Sequence, residues 1–309
     1  MLRQTLCIYF VFALISVIPQ SSFASSMDAM QVACVQLEMN QDINNNAQAI
    51  VKALKSESQR GTRLVVFPEG ALTPHVKLIR QLDQKQIDQA LNSIRQACRQ
   101  FDIYAVVGSA YKHDGKWYNG AFVIGPKGQI VKRYTKLHVV LPKLYENGNE
   151  LAIFNIDDVP TTIIICHDER YPELVRIPVL AGAKLCIYIS CESKILKKLD
   201  NCRSQIIARA VENQISVIHC NAGDGDGDIG SYGRSRIIDR VGTVLAQADS
   251  KVGQTIRATV HPRDSRNGYA RAGARTPSLQ KFWAEGLRVL KEQNPEFFAK
   301  NTVSETETR

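Results

Sequence analysis

The 309-residue sequence has no Cys-x-x-Cys pair and no His-Glu-x-x-His, and its six histidines follow no metal-ligand spacing. Those absences argue against a zinc ribbon, a thioredoxin-type dithiol and a metallohydrolase. No internal repeat is evident and no linker divides the chain, so one domain is expected. Long apolar runs are almost missing too. The one at Thr5 to Ile18 falls short of the roughly 20 residues that a membrane-spanning helix needs.

That run has another reading. Arg3 precedes it, Pro19 and a Ser-rich stretch follow, and Ser22-Phe23-Ala24 puts small residues at both positions that a signal peptidase reads. Residues 1–24 are therefore expected to be a signal peptide, and the mature protein to be secreted or periplasmic. An uncleaved anchor is the alternative. No Cys follows Ala24, which argues against a lipoprotein. Formal net charge is +9, falling to +8 without Arg3. Such a surplus could attract nucleic acid or an anionic membrane. Its Lys and Arg residues are scattered, however, and no nucleic-acid motif accompanies them. A solvated basic surface is the reading, with neither nucleic acid nor stable membrane insertion as a partner.

Cleavage would remove Cys7 and leave seven cysteines. An exported chain can form disulfides, and Cys191 with Cys202 is one conceivable pair. Cys34, Cys186 and Cys220 sit instead inside apolar strand-like runs, where a buried thiol behaves as a small hydrophobe.

Hydrophobic periodicity alternates strands with helices. Strands are expected at Gln31 to Leu37, Leu64 to Phe67, Ile103 to Tyr111, Thr161 to Ile165, Leu185 to Ile189 and Ile215 to His219. Hairpins are expected at Tyr118 to Tyr134 and Ser235 to Ala246. Helices are expected at Ile43 to Arg60, Val76 to Gln100, Pro172 to Ala181, Cys202 to Val211 and Ser278 to Glu292, ahead of a polar tail from Asn301. This is an α/β pattern, with sheets covered by helices.

Three reactive residues each stand just past an apolar strand. Glu69 follows Phe67-Pro68, where partial desolvation should raise its pKa into a proton-transferring range. Lys136 lies in Tyr134-Thr135-Lys136-Leu137-His138, where an ammonium can steady an oxyanion. Cys166 closes Ile163-Ile164-Ile165 and opens Cys166-His167-Asp168-Glu169-Arg170-Tyr171-Pro172-Glu173. A following helix N-terminus should lower its thiol pKa. Singly, each has a bland reading as a turn acid, a solvated lysine and an inert buried thiol.

Taken together, in this order and spacing, the three stretches resemble the nitrilase or carbon–nitrogen hydrolase superfamily. Asn119-Gly120-Ala121, Gly125-Pro126-Lys127-Gly128, Arg209-Ala210-Val211-Glu212-Asn213 and Gly233-Arg234-Ser235-Arg236 support the resemblance, which runs from about Gln31 to about Val260. It implies an α-β-β-α sandwich, two sheets flanked by helices, over residues 25–262. A C-terminal extension, 263–309, is then left with one helix and the polar tail. It also implies a homodimer, a small-molecule amide substrate, and no metal or other cofactor.

By position, Cys166 resembles the family's nucleophile, Glu69 its general base and acid, and Lys136 its oxyanion stabiliser. The His167 N–H matches the second oxyanion donor, and Glu146 best matches a further catalytic glutamate. Arg170 is a candidate for gripping a substrate carboxylate, or a structural partner of Glu173. His167-Asp168 after the cysteine, rather than the Trp-Glu usual in true nitrilases, favours a small amide or N-carbamoyl compound over a nitrile. A thioester-based N-acyltransferase and a non-catalytic binding protein are the alternatives. Asp224-Gly225-Asp226-Gly227-Asp228 imitates the start of a calcium loop. It lacks Gly at the sixth position (Ile229) and the acid at the twelfth (Ser235).

Overall fold

The computed structural model describes residues 29–293 apart from 74–78, 80–81, 193–203, 225–230 and 276. The expected signal peptide, the calcium-like loop beyond Asp224, Cys202 and the tail from Asn301 lie outside the described residues.

Two six-stranded mixed sheets form the centre. The first runs in the order β12-β1-β2-β3-β4-β5. Its strands are β1 (Met30–Val35), β2 (Leu64–Val66), β3 (Tyr104–His113), β4 (Lys116–Ile124), β5 (Ile130–Thr135) and β12 (Thr255–Val260). The second runs β11-β10-β9-β8-β7-β6. Its strands are β6 (Phe154–Ile156), β7 (Val159–Ile165), β8 (Leu185–Ser190), β9 (Ser216–Asn221), β10 (Arg236–Ile238) and β11 (Val244–Gln247). Within each sheet three strands pair in parallel, β1-β2-β3 and β7-β8-β9. Antiparallel strands extend both sides.

Period-two alternation decides the layers, because successive side chains leave a strand on opposite faces. Val32, Leu64, Val66, Val106 and Val123 of one sheet meet Ile163, Ile165, Leu185, Ile187 and Ile218 of the other in a shared core. The opposite face of the first sheet, with Val65, Phe67, Ala105 and Val107, is covered by α1 (Ile43–Ser58) and α2 (Gln84–Phe101). The opposite face of the second, with Ile164, Cys186, Tyr188 and Val217, is covered by α3 (Glu173–Leu180) and α4 (Ser204–Asn213). The result is the expected α-β-β-α sandwich. Cys34, Cys186 and Cys220 are buried thiols in these cores, as their apolar surroundings suggested.

Some boundaries differ from the periodic reading. The helix expected from Val76 begins at Gln84, because the Asp83 carboxylate accepts the Lys85 N–H and Gln86 reaches back to the Asp83 N–H. It ends at Asp102, left-handed at φ +50°. Strands β6 and β12 were missed. The first has three residues, and the second is an edge strand whose part-exposed pattern carries little apolar signal. Among the described residues the C-terminal extension holds two helices, where one was expected: α5 (Gly268–Arg275) and α6 (Pro277–Gln293). No helix among the described residues is long and apolar enough to cross a membrane.

Candidate active site

Glu69, Lys136 and Cys166 leave β2, β5 and β7 at the C-terminal ends of strands from both sheets. Lys136 is two residues beyond Tyr134, so it shares that residue's face, toward the space between the sheets. Its Nζ donates to Glu69 Oε1 at 2.7 Å, and both side chains are almost wholly buried. Asn119, on the inward face of β4 with Ala121 and Val123, donates its Nδ2 to the same oxygen at 2.7 Å. The Cys191 N–H, just past β8, donates to Glu69 Oε2 at 2.9 Å.

That arrangement reverses one expectation. Burial does push the Glu69 carboxyl upward, as its strand-end position suggested. The Lys136 ammonium, with the hydrogen bonds from Lys136, Asn119 and Cys191, outweighs burial and holds it below the usual carboxylate range. Lys136 shows the mirror effect. Burial alone would lower its pKa, yet the Glu69 carboxylate and the Cys166 thiol site raise it, so the pair stays charged.

Cys166 stands at φ +48°, left-handed backbone that a side chain rarely adopts and that costs about 1–3 kcal/mol. It opens a tight 3-10 turn, Cys166–Arg170. Asp168, two residues on and fully buried, over-determines this geometry. Its Oδ2 accepts the Ile165 N–H at 3.1 Å and the Tyr134 hydroxyl at 2.8 Å, while Oδ1 accepts the His138 N–H at 2.9 Å. One carboxylate thus ties the Cys166 turn to the strand that presents Lys136.

The thiol also departs from expectation. Burial, then the Glu69 charge, raises the Cys166 pKa well above the ordinary thiol value; Lys136 opposes this and loses. A single 3-10 turn supplies too little helix dipole to compensate. At rest the residue is a thiol, with an ionised carboxylate among the groups acting on it.

The other expected residues divide. His167 lies in the first turn of the 3-10 segment, where the turn itself offers its N–H no partner. Its ring is near Tyr171, which stacks on His138 at 3.5 Å. Arg170 is exposed, its Nε 4.0 Å from Glu169 Oε1. Glu146 is not brought to the cluster. It is exposed and pairs with Lys116 at 3.4 Å, because the chain beside it bridges to Tyr118 and turns its side chain outward. Its neighbour Tyr145 is buried and feels the Glu69 charge.

Asn119, Asp168, Tyr188, the Cys191 N–H and Glu192 went unassigned in the sequence. Glu192 carried the same signal as Glu69, an acid just past a buried strand. Gly108 contributes by having no side chain. A Cβ there would lie 2.3 Å from the Pro68 carbonyl oxygen and 2.6 Å from Glu69 Cα. Gly108→Ala is therefore expected to cost about 3 kcal/mol of stability, read as a lower urea unfolding midpoint, and to displace Glu69. An unchanged midpoint would contradict this close approach.

Comparison with known proteins identifies the family and the fold. Residues 31–267 match the family described as carbon-nitrogen hydrolase. A 2-oxoglutaramate amidase of Bacillus subtilis (strain 168) is 30% identical over 243 residues, covering 76% of this chain and 92% of that protein. Omega-amidase NIT2 of Homo sapiens is 24% identical over 247 residues, with 73% and 86% covered. Two solved structures share the fold. One is Nit3 of Saccharomyces cerevisiae, a nitrilase superfamily member, at TM-score 0.70, 23% identity and 76% and 91% coverage. The other is an amidase from Nesterenkonia sp., at TM-score 0.68, 20% identity and 79% and 95% coverage. This chain belongs to the carbon-nitrogen hydrolase family of enzymes.

Proposed function

We propose that the protein hydrolyses a small carboxamide through a thioester on Cys166, with Glu69 as general base and acid and Lys136 as oxyanion stabiliser. The observation that carries this reading is the buried Glu69–Lys136 ion pair, whose two charges both act on the Cys166 thiol. Glu69 takes the thiol proton as the sulfur attacks the carbonyl carbon. The carbonyl π electrons move onto oxygen, where the Lys136 ammonium and the His167 N–H hold them. Collapse breaks the C–N bond, and Glu69 returns its proton to the departing ammonia. Water, deprotonated by the same carboxylate, then cleaves the thioester to the acid and regenerates the thiol.

Relatives named as amidases favour a carboxamide over an N-carbamoyl group. A planar amide develops charge on oxygen, which the two donors match better as the transition state forms. A nitrile develops it on nitrogen and needs a proton there. Ammonia release from matched amide, N-carbamoyl and nitrile forms of one carbon skeleton tests this. The nitrile is expected to be at least about tenfold slower in kcat/KM, or about 1.4 kcal/mol in barrier. Faster nitrile consumption overturns the substrate class and leaves the triad standing.

Export and pairing belong to the same reading. Arg3, the apolar run and Ser22-Phe23-Ala24 support cleavage after Ala24. Ile177 on α3 and Val211 on α4, exposed on the outer helical layer, support a homodimer through those helices. Native protein is expected to begin at or near Ser25 and to sediment at twice the monomer mass. A cytosolic protein beginning at Met1, or a monomer, contradicts the corresponding half.

A further inference from the structure

At the end of β8, three consecutive residues tie into the site's frame. Ser190 Oγ donates to Asn221 Oδ1 at 2.9 Å, and the Glu192 N–H donates to the same oxygen at 3.1 Å. Between them, the Cys191 N–H holds Glu69. The Glu192 side chain is buried and takes two phenolic donors: Tyr188 at 2.5 Å on Oε1, and Tyr232 on Oε2. Tyr188 also lies 3.3 Å from the carbonyl oxygen of Cys166, and its ring stacks on His219 at 4.4 Å. Expectation had assigned a second carboxylate at the site to Glu146, which the fold turns outward. The buried carboxylate whose charge acts on Cys166, besides Glu69, is Glu192.

We propose that Glu192 is a positioning residue for the nucleophile: by taking the Tyr188 hydroxyl hydrogen it fixes that phenol oxygen in packing contact with the Cys166 carbonyl at the start of the turn. The inference rests on Cys166 being the nucleophile. It adds a reason for two tyrosines and an acid to share one buried cluster. The strand end that aims Glu69 through a backbone N–H aims Cys166 through a side chain, so base and nucleophile move as one body.

The charges around this link are defined. Glu69, Lys136, Cys191 and Glu192 act on Cys166, while Arg170 and Arg209 act on Glu169, beside Glu192. Burial, then the Glu192 charge, pushes Glu169 up to about 8. Two adjacent buried carboxyls share their protons unequally. Glu192 is the acceptor for both tyrosines. Its negative charge also helps to keep Cys166 a thiol until substrate arrives.

Glu192→Gln in the full chain separates positioning from mere burial. Iodoacetamide labelling of the Cys166 peptide, followed by mass spectrometry across pH, needs no substrate. It therefore reads this proposal even where no amide releases ammonia. Removing a nearby negative charge is expected to lower the labelling midpoint by about one pH unit. On the amide turned over best, kcat is expected to fall at least about tenfold, with KM within about threefold. A midpoint that stays or rises, or an unchanged kcat, overturns the proposal. Should E192Q not fold, Tyr188→Phe cuts the link and leaves the charge. It is expected to lower kcat about tenfold at similar KM, and wild-type kcat in Y188F overturns the proposal equally.

Discussion

Cys166→Ala is expected to reduce ammonia release at least about ten-thousand-fold while leaving the fold in place. The thioester route has no bond to form without the sulfur. The neighbouring thiol offers no substitute, because burial and then the Glu69 charge push Cys191 up to about 12. Alanine keeps the left-handed backbone at φ +48° no more strained than cysteine did, and the three hydrogen bonds into Asp168 do not involve the removed atom. Circular dichroism and a melting temperature within a few degrees of wild type should accompany the loss. Near wild-type ammonia release from this variant excludes the thioester mechanism.

Lys136→Met should damage both activity and stability. The ammonium is the charged donor proposed for the oxyanion, and losing such a donor costs about a hundred- to a thousandfold in kcat. It is also the partner of a buried carboxylate. Breaking a buried pair from one side costs about 3–5 kcal/mol, because the remaining charge is left uncompensated. Asn119 and the Cys191 N–H still bond to Glu69, but burial then dominates, and the carboxyl moves up instead of down.

The sign of the pH dependence follows. In wild type the folded Glu69 pKa lies below its ordinary value of 4.5, so its stabilising contribution is present above that pH and fades as acid titrates the folded form. The folded Lys136 pKa lies above 10.5, so its contribution is complete below that pH and is lost only in stronger alkali. Lys136→Met should remove the alkaline limb, and because its folded Glu69 pKa is then raised, its loss of stability should be largest near neutral pH and shrink as pH falls through that pKa. Urea midpoints equal to wild type at neutral pH would show that the ion pair does not stabilise the fold.

Much of this protein was determined by its sequence. Short apolar runs marked most of the strands, and helical spacing marked the covering helices, because both patterns come from local geometry that tertiary context need not supply. Glu69, Lys136 and Cys166 were legible for a related reason. A reactive side chain immediately beyond a buried strand is presented by rigid backbone, and three such sites in order made the family resemblance.

Tertiary structure decided the rest. Glu146 lies in the loop between β5 and β6, and Glu192 just past β8. Only the bridge to Tyr118 turns the first outward, and only the tyrosines of β8 and the Tyr232 segment capture the second. The protonation of the site was equally out of reach. Desolvation raises carboxyls and thiols alike, so the outcome depends on where one ammonium lies. At 2.7 Å from Glu69 it is close enough to reverse the effect of burial there, while at Cys166 burial and the Glu69 charge prevail over it. Spacing along a chain records which residues end their strands, but charge acts through distance between strands, and that distance exists only once each sheet is assembled and the two are packed.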